Sequence, residues 1–345
     1  MPTPYVAPAN NGTSGTFNGS TAIGALNYAT EYSRALSQMW PYVLNFGALF
    51  STPNNNRYRW VNAKTIEIPS ISTTGRVDAD RDTVAFAQRN YDNAWEAKTL
   101  SHERKWSTLV HPMDIDQTNM VSTIANITQV FNEEQKFPEM DAYCISELYA
   151  KWLLTSNPRT GAAHTADTTV LTVANILSVF DQMMLKMDNA MVPANGRILY
   201  VTHEVNVLLK EAQGLSRSMD ITKGPNAIDR RVNRLDQVQI VPVPSTLMKT
   251  AYDFTVGWAV AGSAKQINMF LVHPLAVITP VSYTFSRLDA PNALSEGKYV
   301  YYEESFEDVF VLNKKSDALQ FNITDSGTTG TTETTETTET TETTE

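Results

Sequence analysis

Residues 57–71, RYRWVNAKTIEIPSI, and 95–116, WEAKTLSHERKWSTLVHPMDID, read as the outgoing and returning halves of one long polar ribbon. In the first half Ile66 and Ile68 alternate with Thr65 and Glu67, the period of a half-exposed strand. In the second, Glu96, Lys98, His102, Arg104 and Trp106 fall on one face, and Ala97, Thr99, Ser101, Glu103 and Lys105 on the other. Neither face is continuously apolar, and a two-stranded hairpin alone in water is marginal. The ribbon therefore needs contacts beyond itself, either on a neighbouring chain or by folding back on its own domain. An arm completed by neighbours marks an assembling protein rather than an enzyme.

Two helical stretches follow, TNMVSTIANITQVFNEEQ (118–135) and PEMDAYCISELYAKWLL (138–154). Met120, Ile124, Ile127 and Phe131 form one amphipathic stripe. Pro138 has no N–H and predicts a break or kink, with a new helix starting there. Glu139 and Asp141 would complement that helix's positive end, and Ala142, Ile145, Tyr149 and Trp152 would form its buried face.

Upstream, residues 1–20 are rich in Pro, Asn, Gly, Ser and Thr and predict a draped arm. From Ile23 to Phe50 the chain turns helix-like, with Leu26, Tyr32, Leu36, Met39 and Trp40, until Pro41 and the Pro53–Asn56 cluster interrupt it. Downstream, Thr172 is a candidate cap for a helix burying Ile176, Phe180, Met183 and Met187. Arg197–Val201 reads as a strand, and Thr202 opens a helix with Val205, Leu208 and Leu209 inward. Residues 237–243, 267–272, 276–285 and 299–312 read as further strands. The last of these suggests that the chain returns to complete its first domain. The end, GTTGTTETTETTETTETTE, is a low-complexity repeat without an apolar residue, predicted disordered and outward-facing.

The formal net charge is −10; five of those charges are the glutamates of the last fifteen residues, leaving −5 elsewhere. An acidic body lacks the clustered basic face of a sequence-specific nucleic-acid binder. Cys144 is the single cysteine, which rules out an internal disulfide and fits a reducing compartment. The first twenty residues lack the basic and apolar regions of a signal peptide, and no apolar run is long enough to span a bilayer. The Asn-x-Ser/Thr triplets at Asn11, Asn18, Asn126 and Asn322 are accordingly read as chance.

Candidate chemistry is sparse. His102, His111, His164, His203 and His273 have no metal-ligand spacing. His111 and His273 precede prolines and read as loop residues. Asp114 and Asp116 read as a turn or cap, Glu133–Glu134 as a solvated helix face and Glu303–Glu304 as a strand end. Cys144 reads as a small buried apolar residue. No catalytic residue, cofactor or metal is expected. The residues singled out are candidate assembly contacts on the ribbon: Trp60, Lys64, Trp95, Glu103, Arg104, Lys105 and Trp106. Arg and Trp dominate many interfaces. The alternative is that the tryptophans pin the ribbon to its own domain.

The runs KTLSHERKWSTLVHPMDIDQTN (98–119) and NITQVFNEEQKFPEMDAYCISELYA (126–150) resemble the major capsid protein of tailed bacteriophages. GRILYVTHEVNVLLKEA (196–212) and INMFLVHPLAVITPV (267–281) stand where that family has its axial domain. The resemblance covers roughly residues 25–323 and lies in element order rather than a catalytic signature. It implies an α+β Hong Kong-type capsid fold: an N-terminal arm over 1–56, an extended loop over 57–112, and a peripheral domain with a spine helix over 113–166. An axial domain over 167–281, a return over 282–324 and the tail 325–345 complete it.

The implied function is self-assembly through pentamers and hexamers into an icosahedral shell around double-stranded DNA, in the host cytoplasm. The implied partners are a separate scaffolding protein, since the N-terminus is too short for a built-in one, a portal, and in some relatives a decoration protein; no membrane is involved. Some relatives cross-link Lys to Asn. The loop offers Lys64, Lys98 and Lys105, but no motif marks a matching Asn and Glu. A nanocompartment shell of the encapsulin type and an α/β enzyme with an unrecognised site are the alternatives.

Overall fold

Burial along the strands organises this chain more than any single helix does. The computed structural model describes residues 42–76, 89–118, 122–212 and 234–324, together with short strand pairs at Thr16–Phe17 and Ser20–Thr21. Most of the expected draped arm, most of the helix-like stretch after Ile23, the DADRD turn, Met120 and the Thr/Glu tail lie outside the described residues.

At the centre is a five-stranded sheet. Its order is Leu319–Thr324, Gln266–Val272, Ile198–Thr202, Val238–Val243 and Arg234–Leu235. Only the Ile198–Thr202 and Val238–Val243 pair is parallel. Every residue of Ile198–Thr202 and Gln266–Val272 is buried, because both faces of the sheet are covered. Ile198, Tyr200, Phe270, Val272 and Phe321 pack toward Ala142, Cys144, Ile145, Leu148 and Trp152 of the helix Phe137–Leu153. Their sequence neighbours Leu199, Val201, Met269 and Leu271 pack toward the helices Ile176–Asn189 and His203–Glu211. The period-2 alternation of a strand thus serves two cores at once.

Tyr299–Glu307 lies at the centre of a second sheet, flanked by Val281–Asp289 and His102–Val110. A third sheet carries the ribbon: Arg59–Asn62, Thr65–Thr73 and Tyr91–Thr99, with nine paired positions from Thr65↔Thr99 to Thr73↔Tyr91. Arg59–Asn62 reaches only as far as Glu67, so Pro69 sits where its strand has a free edge, a place where a proline is tolerated.

Several expectations are corrected. The returning half of the ribbon is two strands, not one. It breaks at Leu100–Ser101, and its second part belongs to the sheet of Tyr299–Glu307. Pro138 does not break the helix, because Ile124–Phe131 runs through a π turn at Asn132–Lys136 into Phe137–Leu153, but it does stand in the first turn of that second α-helical segment, as expected. A π turn widens the ladder just before the residue that cannot donate to it. Asp141, expected to complement the helix's positive end, is fully buried and accepts from the Asn45 and Phe46 amides.

Thr172 does not cap the next helix; Asn175 holds that position, and its side chain accepts from the Thr172 amide instead. Residues 276–285 form two strands separated by Thr279–Pro280, and 299–312 divides into Tyr299–Glu307 and Phe310–Val311. The return is shared: Tyr299–Glu307 pairs with the ribbon's second part, whereas Leu319–Thr324 completes the central sheet.

Candidate assembly surface

The ribbon meets the body at Leu100–Ser101. Leu100 is buried with Ile66, Ile278, Phe306 and Phe310, and its amide donates to the Lys64 carbonyl at 2.7 Å. The next residue is held by Asp308, whose side chain is buried. One carboxylate oxygen accepts from the Ser101 amide at 3.0 Å and its hydroxyl at 3.2 Å. The other accepts from the Tyr143 hydroxyl at 3.0 Å, the Lys151 ammonium at 2.5 Å and the Val309 amide at 2.7 Å. Ribbon, helix and return are thereby joined through one carboxylate. Lys151 also stands 4.1 Å from the centre of the Phe310 ring.

From this root the strand His102–Val110 turns alternate side chains inward. His102 is stacked on Tyr143 at 3.7 Å, with Phe254 edge-on at 5.7 Å. Burial, reinforced by Arg104 and Lys151, lowers its pKa from 6.5 to about 4, with Asp308 pulling the other way. Arg104 lies 2.5 Å from Glu139 and donates to the carbonyls of Phe254 and Gly257 at 2.6 and 3.2 Å. Burial pushes the Glu139 carboxyl up despite this partner, and does the same to Glu307. Trp106 lies flat against Phe131 at 3.9 Å. Arg104 and Trp106, candidate assembly contacts in the sequence, thus have their contacts inside the subunit.

The other candidates face outward. Glu103 and Lys105 are exposed, and Glu103 pairs with Lys64 at 3.4 Å, with both side chains at least half exposed. Such pairs contribute little. Beyond the root, Ile71, Tyr91 and Trp95 are 67%, 54% and 49% exposed. The register puts them on one face of the ribbon, with Pro69 between them. On the opposite face Ile66 and Ile68 turn inward. Trp60 is on that face too. With Lys64, Tyr283, Glu304 and Phe306 it lines a cavity of about 390 Å³ between the ribbon and the second sheet. The structure also places Glu96 2.6 Å and Asn313 3.1 Å from Lys98, tying the ribbon to the return.

Residues weighed for chemistry have structural roles. His111 and His273 each cap a short helical turn that starts with the following proline, accepting from Met113 and Leu275 amides at 3.1 and 3.2 Å. Asp114 lies in the first turn of one of these helices. Glu303 and Glu304 are mid-strand, not at a strand end; Glu303 bonds Lys136 at 2.9 Å, and Glu304 accepts from the Tyr302 hydroxyl. Cys144 is fully buried, and burial pushes its thiol pKa well up. Among the described residues no cluster of His, Cys, Asp and Glu is arranged to hold a metal, and no helix is long and apolar enough to cross a membrane.

The anchoring roles of Asp308 and Asp141 escaped the sequence reading, which named Asp141 only at the positive end of its helix. Each stands with a neighbouring glutamate, Glu307 or Glu139, in a largely apolar run, SFEDVF and PEMDAYC. That setting was the available signal, since an acid amid apolar residues must be paired if buried. Asp141 accepts from the Asn45 and Phe46 amides at 2.7 and 3.2 Å and from the Tyr42 hydroxyl, anchoring the end of the arm. Desolvation by burial still leaves its carboxyl pKa raised.

No family model and no curated protein matches this sequence. Solved structures do match. The chain is similar to the asymmetric unit of the bacteriophage PhiM1 mature capsid, with a TM-score of 0.61 and 13% identity, covering 94% of this chain and 99% of that one. A structure from Mycobacterium phage Che8 matches with a TM-score of 0.56 and 14% identity, over 86% and 97% of the two chains. The chain has a phage capsid fold. The capsid of a native GTA particle agrees, with a TM-score of 0.56 and 12% identity over 86% of this chain and 95% of that one. Within this α+β capsid fold, the ribbon is rooted in its own small core at Ile66 and carries exposed apolar side chains beyond it, and Phe137–Leu153 packs against one face of the central sheet.

Proposed function

We propose that the protein is the major capsid protein of a tailed bacteriophage, self-assembling through pentamers and hexamers into an icosahedral shell around double-stranded DNA. One observation carries the reading beyond the fold: the ribbon projects Ile71, Tyr91 and Trp95 into solvent on one face while its root is locked into the subunit. Apolar and aromatic side chains held out on a rigid arm are the anatomy of an interface waiting for a partner. In a shell of identical subunits that partner is another copy.

In this reading 57–112 is the bridging loop, and 1–56 is the arm that leads into it. Residues 113–166 form the peripheral domain with the spine helix, 167–281 the axial domain toward the centre of each capsomer, and 282–324 the return. The role is structural rather than enzymatic, with assembly in the host cytoplasm and location in the virion. Scaffolding protein, portal and decoration protein are the expected partners, and packaged DNA is contacted without sequence specificity. Electron microscopy of negatively stained purified protein tests this, with shells of uniform size as the expected result. DNA-free particles holding enzyme cargo would identify a nanocompartment shell instead. A soluble monomer with turnover would point to an enzyme.

A further inference from the structure

Asparagine is followed by glycine at Asn11–Gly12, Asn18–Gly19 and Asn195–Gly196. In such a pair the asparagine carboxamide can reach the next main-chain nitrogen, which no neighbouring Cβ shields. The last pair stands at the entrance to the central sheet. There the antiparallel register Val272↔Ile198 brings His273, just after one strand, beside the residues just before the other. Buried Arg197 closes the turn by donating to the carbonyls of Val192 and Pro193 at 2.6 and 3.0 Å. Gly196 has a φ of +89°, a conformation that favours glycine.

The histidine is placed on the peptide unit that joins the pair. His273 is buried, and its Nδ1 accepts from the Leu275 amide at 3.2 Å. That nitrogen therefore carries no proton, and the ring proton sits on Nε2. Nε2 lies 3.2 Å from the Asn195 main-chain oxygen, to which it donates. Burial lowers the pKa of His273, which favours this neutral ring. Asn195 and Gly196 are themselves exposed. Among the described residues, neither the Asn195 carboxamide nor the Gly196 N–H has a hydrogen-bond partner. Nucleophile and electrophile are free, while the carbonyl between them is held.

We propose that Asn195–Gly196 is a site of spontaneous covalent modification, at which the Gly196 nitrogen attacks the Asn195 carboxamide and His273 promotes the attack. The Gly196 N–H first loses its proton to hydroxide. The negative charge of the resulting peptide anion spreads onto the Asn195 main-chain oxygen, where the Nε2–H of His273 stabilises it, as an oxyanion-hole donor does. The nitrogen then bonds to Cγ, the Cγ–Nδ2 bond breaks, and Nδ2 leaves as ammonia after taking a proton from water. Water opens the cyclic imide at either carbonyl, giving aspartate or isoaspartate at position 195. Nothing is oxidised or reduced. The proposal does not depend on the capsid reading, because it concerns one subunit and water.

The test incubates the purified full-length chain at neutral pH and follows aspartate and isoaspartate at position 195 by proteolysis and mass spectrometry. Rates are taken relative to those at Asn11 and Asn18 in the same chain. His273→Phe removes the donor, and the relative rate at Asn195 should fall between about threefold and tenfold, the worth of one neutral hydrogen bond. A second measurement needs no variant and decides the matter if His273→Phe does not fold. In the native parent Asn195 should convert at least as fast, relative to the other two sites, as it does in guanidinium chloride, where the histidine contact is lost. A relative rate unchanged by His273→Phe overturns the proposal, and so does a native rate below the denatured one. Chain cleavage after Asn195 in place of the two acids also overturns it, since the nucleophile would then be the carboxamide nitrogen.

Discussion

The root and the blade of the ribbon are consecutive in sequence and opposite in physics. At the root, within Leu100–Trp106, polar side chains are tied to the body: Ser101 to buried Asp308, half-buried Arg104 to Glu139 and two carbonyls, and buried His102 against Tyr143. On the blade, within Thr65–Thr73 and Tyr91–Thr99, apolar side chains such as Ile71 and Trp95 are exposed. A conventional globular surface has the reverse arrangement. The contrast teaches that the ribbon's anchorage to the subunit is concentrated at the root, while the blade is available for other molecules.

The largest effect should come from Asp308→Ala. It removes the acceptor of the Tyr143 hydroxyl and the Ser101 amide and the buried carboxylate of Lys151, which keeps only the Val309 carbonyl and the half-exposed Glu147. Removing one member of a buried charged network costs about 3–5 kcal/mol, so denaturant unfolding of the subunit should show a loss of that size. An unchanged midpoint would mean that the root is not the stabilising element.

Trp106→Ala should cost less, about 2–3 kcal/mol, because the ring is only partly buried against Phe131. Thermal unfolding measures this, and a loss below about 0.5 kcal/mol would place Trp106 with the surface residues instead.

A pH series sharpens the contrast further. His102 has a folded pKa of about 4 against an ordinary 6.5, owing first to burial. Between those values the unfolded chain binds a proton that the folded chain does not, so this residue makes stability fall as pH drops from 6.5 toward 4. Glu139 and Glu307, with raised pKa values, act in the opposite sense as they protonate. The difference between parent and His102→Gln isolates the histidine: the variant's unfolding midpoint should depend less steeply on pH across that window. Identical slopes would show that His102 is not buried at the root.

The smallest effect on the subunit belongs to the blade. Trp95→Ala with Ile71→Ala should change subunit stability by less than about 0.5 kcal/mol each, as for exposed positions generally. Yet the pair should prevent shells from forming in sedimentation runs. Full-size shells from this variant, or from a chain lacking residues 70–95, would break the comparison and remove the bridging role from the blade.

Local pattern made much of this legible. Ile176, Phe180, Met183 and Met187 lie on the buried face their spacing predicts, and Thr202 caps the helix that it precedes, accepting from Val205 at 3.3 Å. The inward and outward parity of His102 to Trp106 also holds, since a strand's alternation is a property of its own backbone. The partner of each strand was not legible. The ribbon's return divides at Leu100–Ser101 because Tyr299–Glu307, nearly 200 residues later, offers a second edge. The last strand turns to the central sheet because Gln266–Val272 has a free side there.

The same divide runs through the candidate surface. Composition and spacing alone excluded metal-ligand and catalytic motifs and marked an arm with more aromatic surface than it can bury. Which tryptophan faces outward was decided by tertiary structure: Trp106 meets Phe131, whereas Trp95 meets only Arg59, at 6.0 Å, among the described ring contacts. Asp308 and Asp141 became anchors only when distant segments closed around them. Periodicity is written in neighbouring residues and survives without the fold. Pairing and desolvation exist only between segments that the fold brings together, and so the choice between pinned and projecting side chains belonged to the tertiary structure.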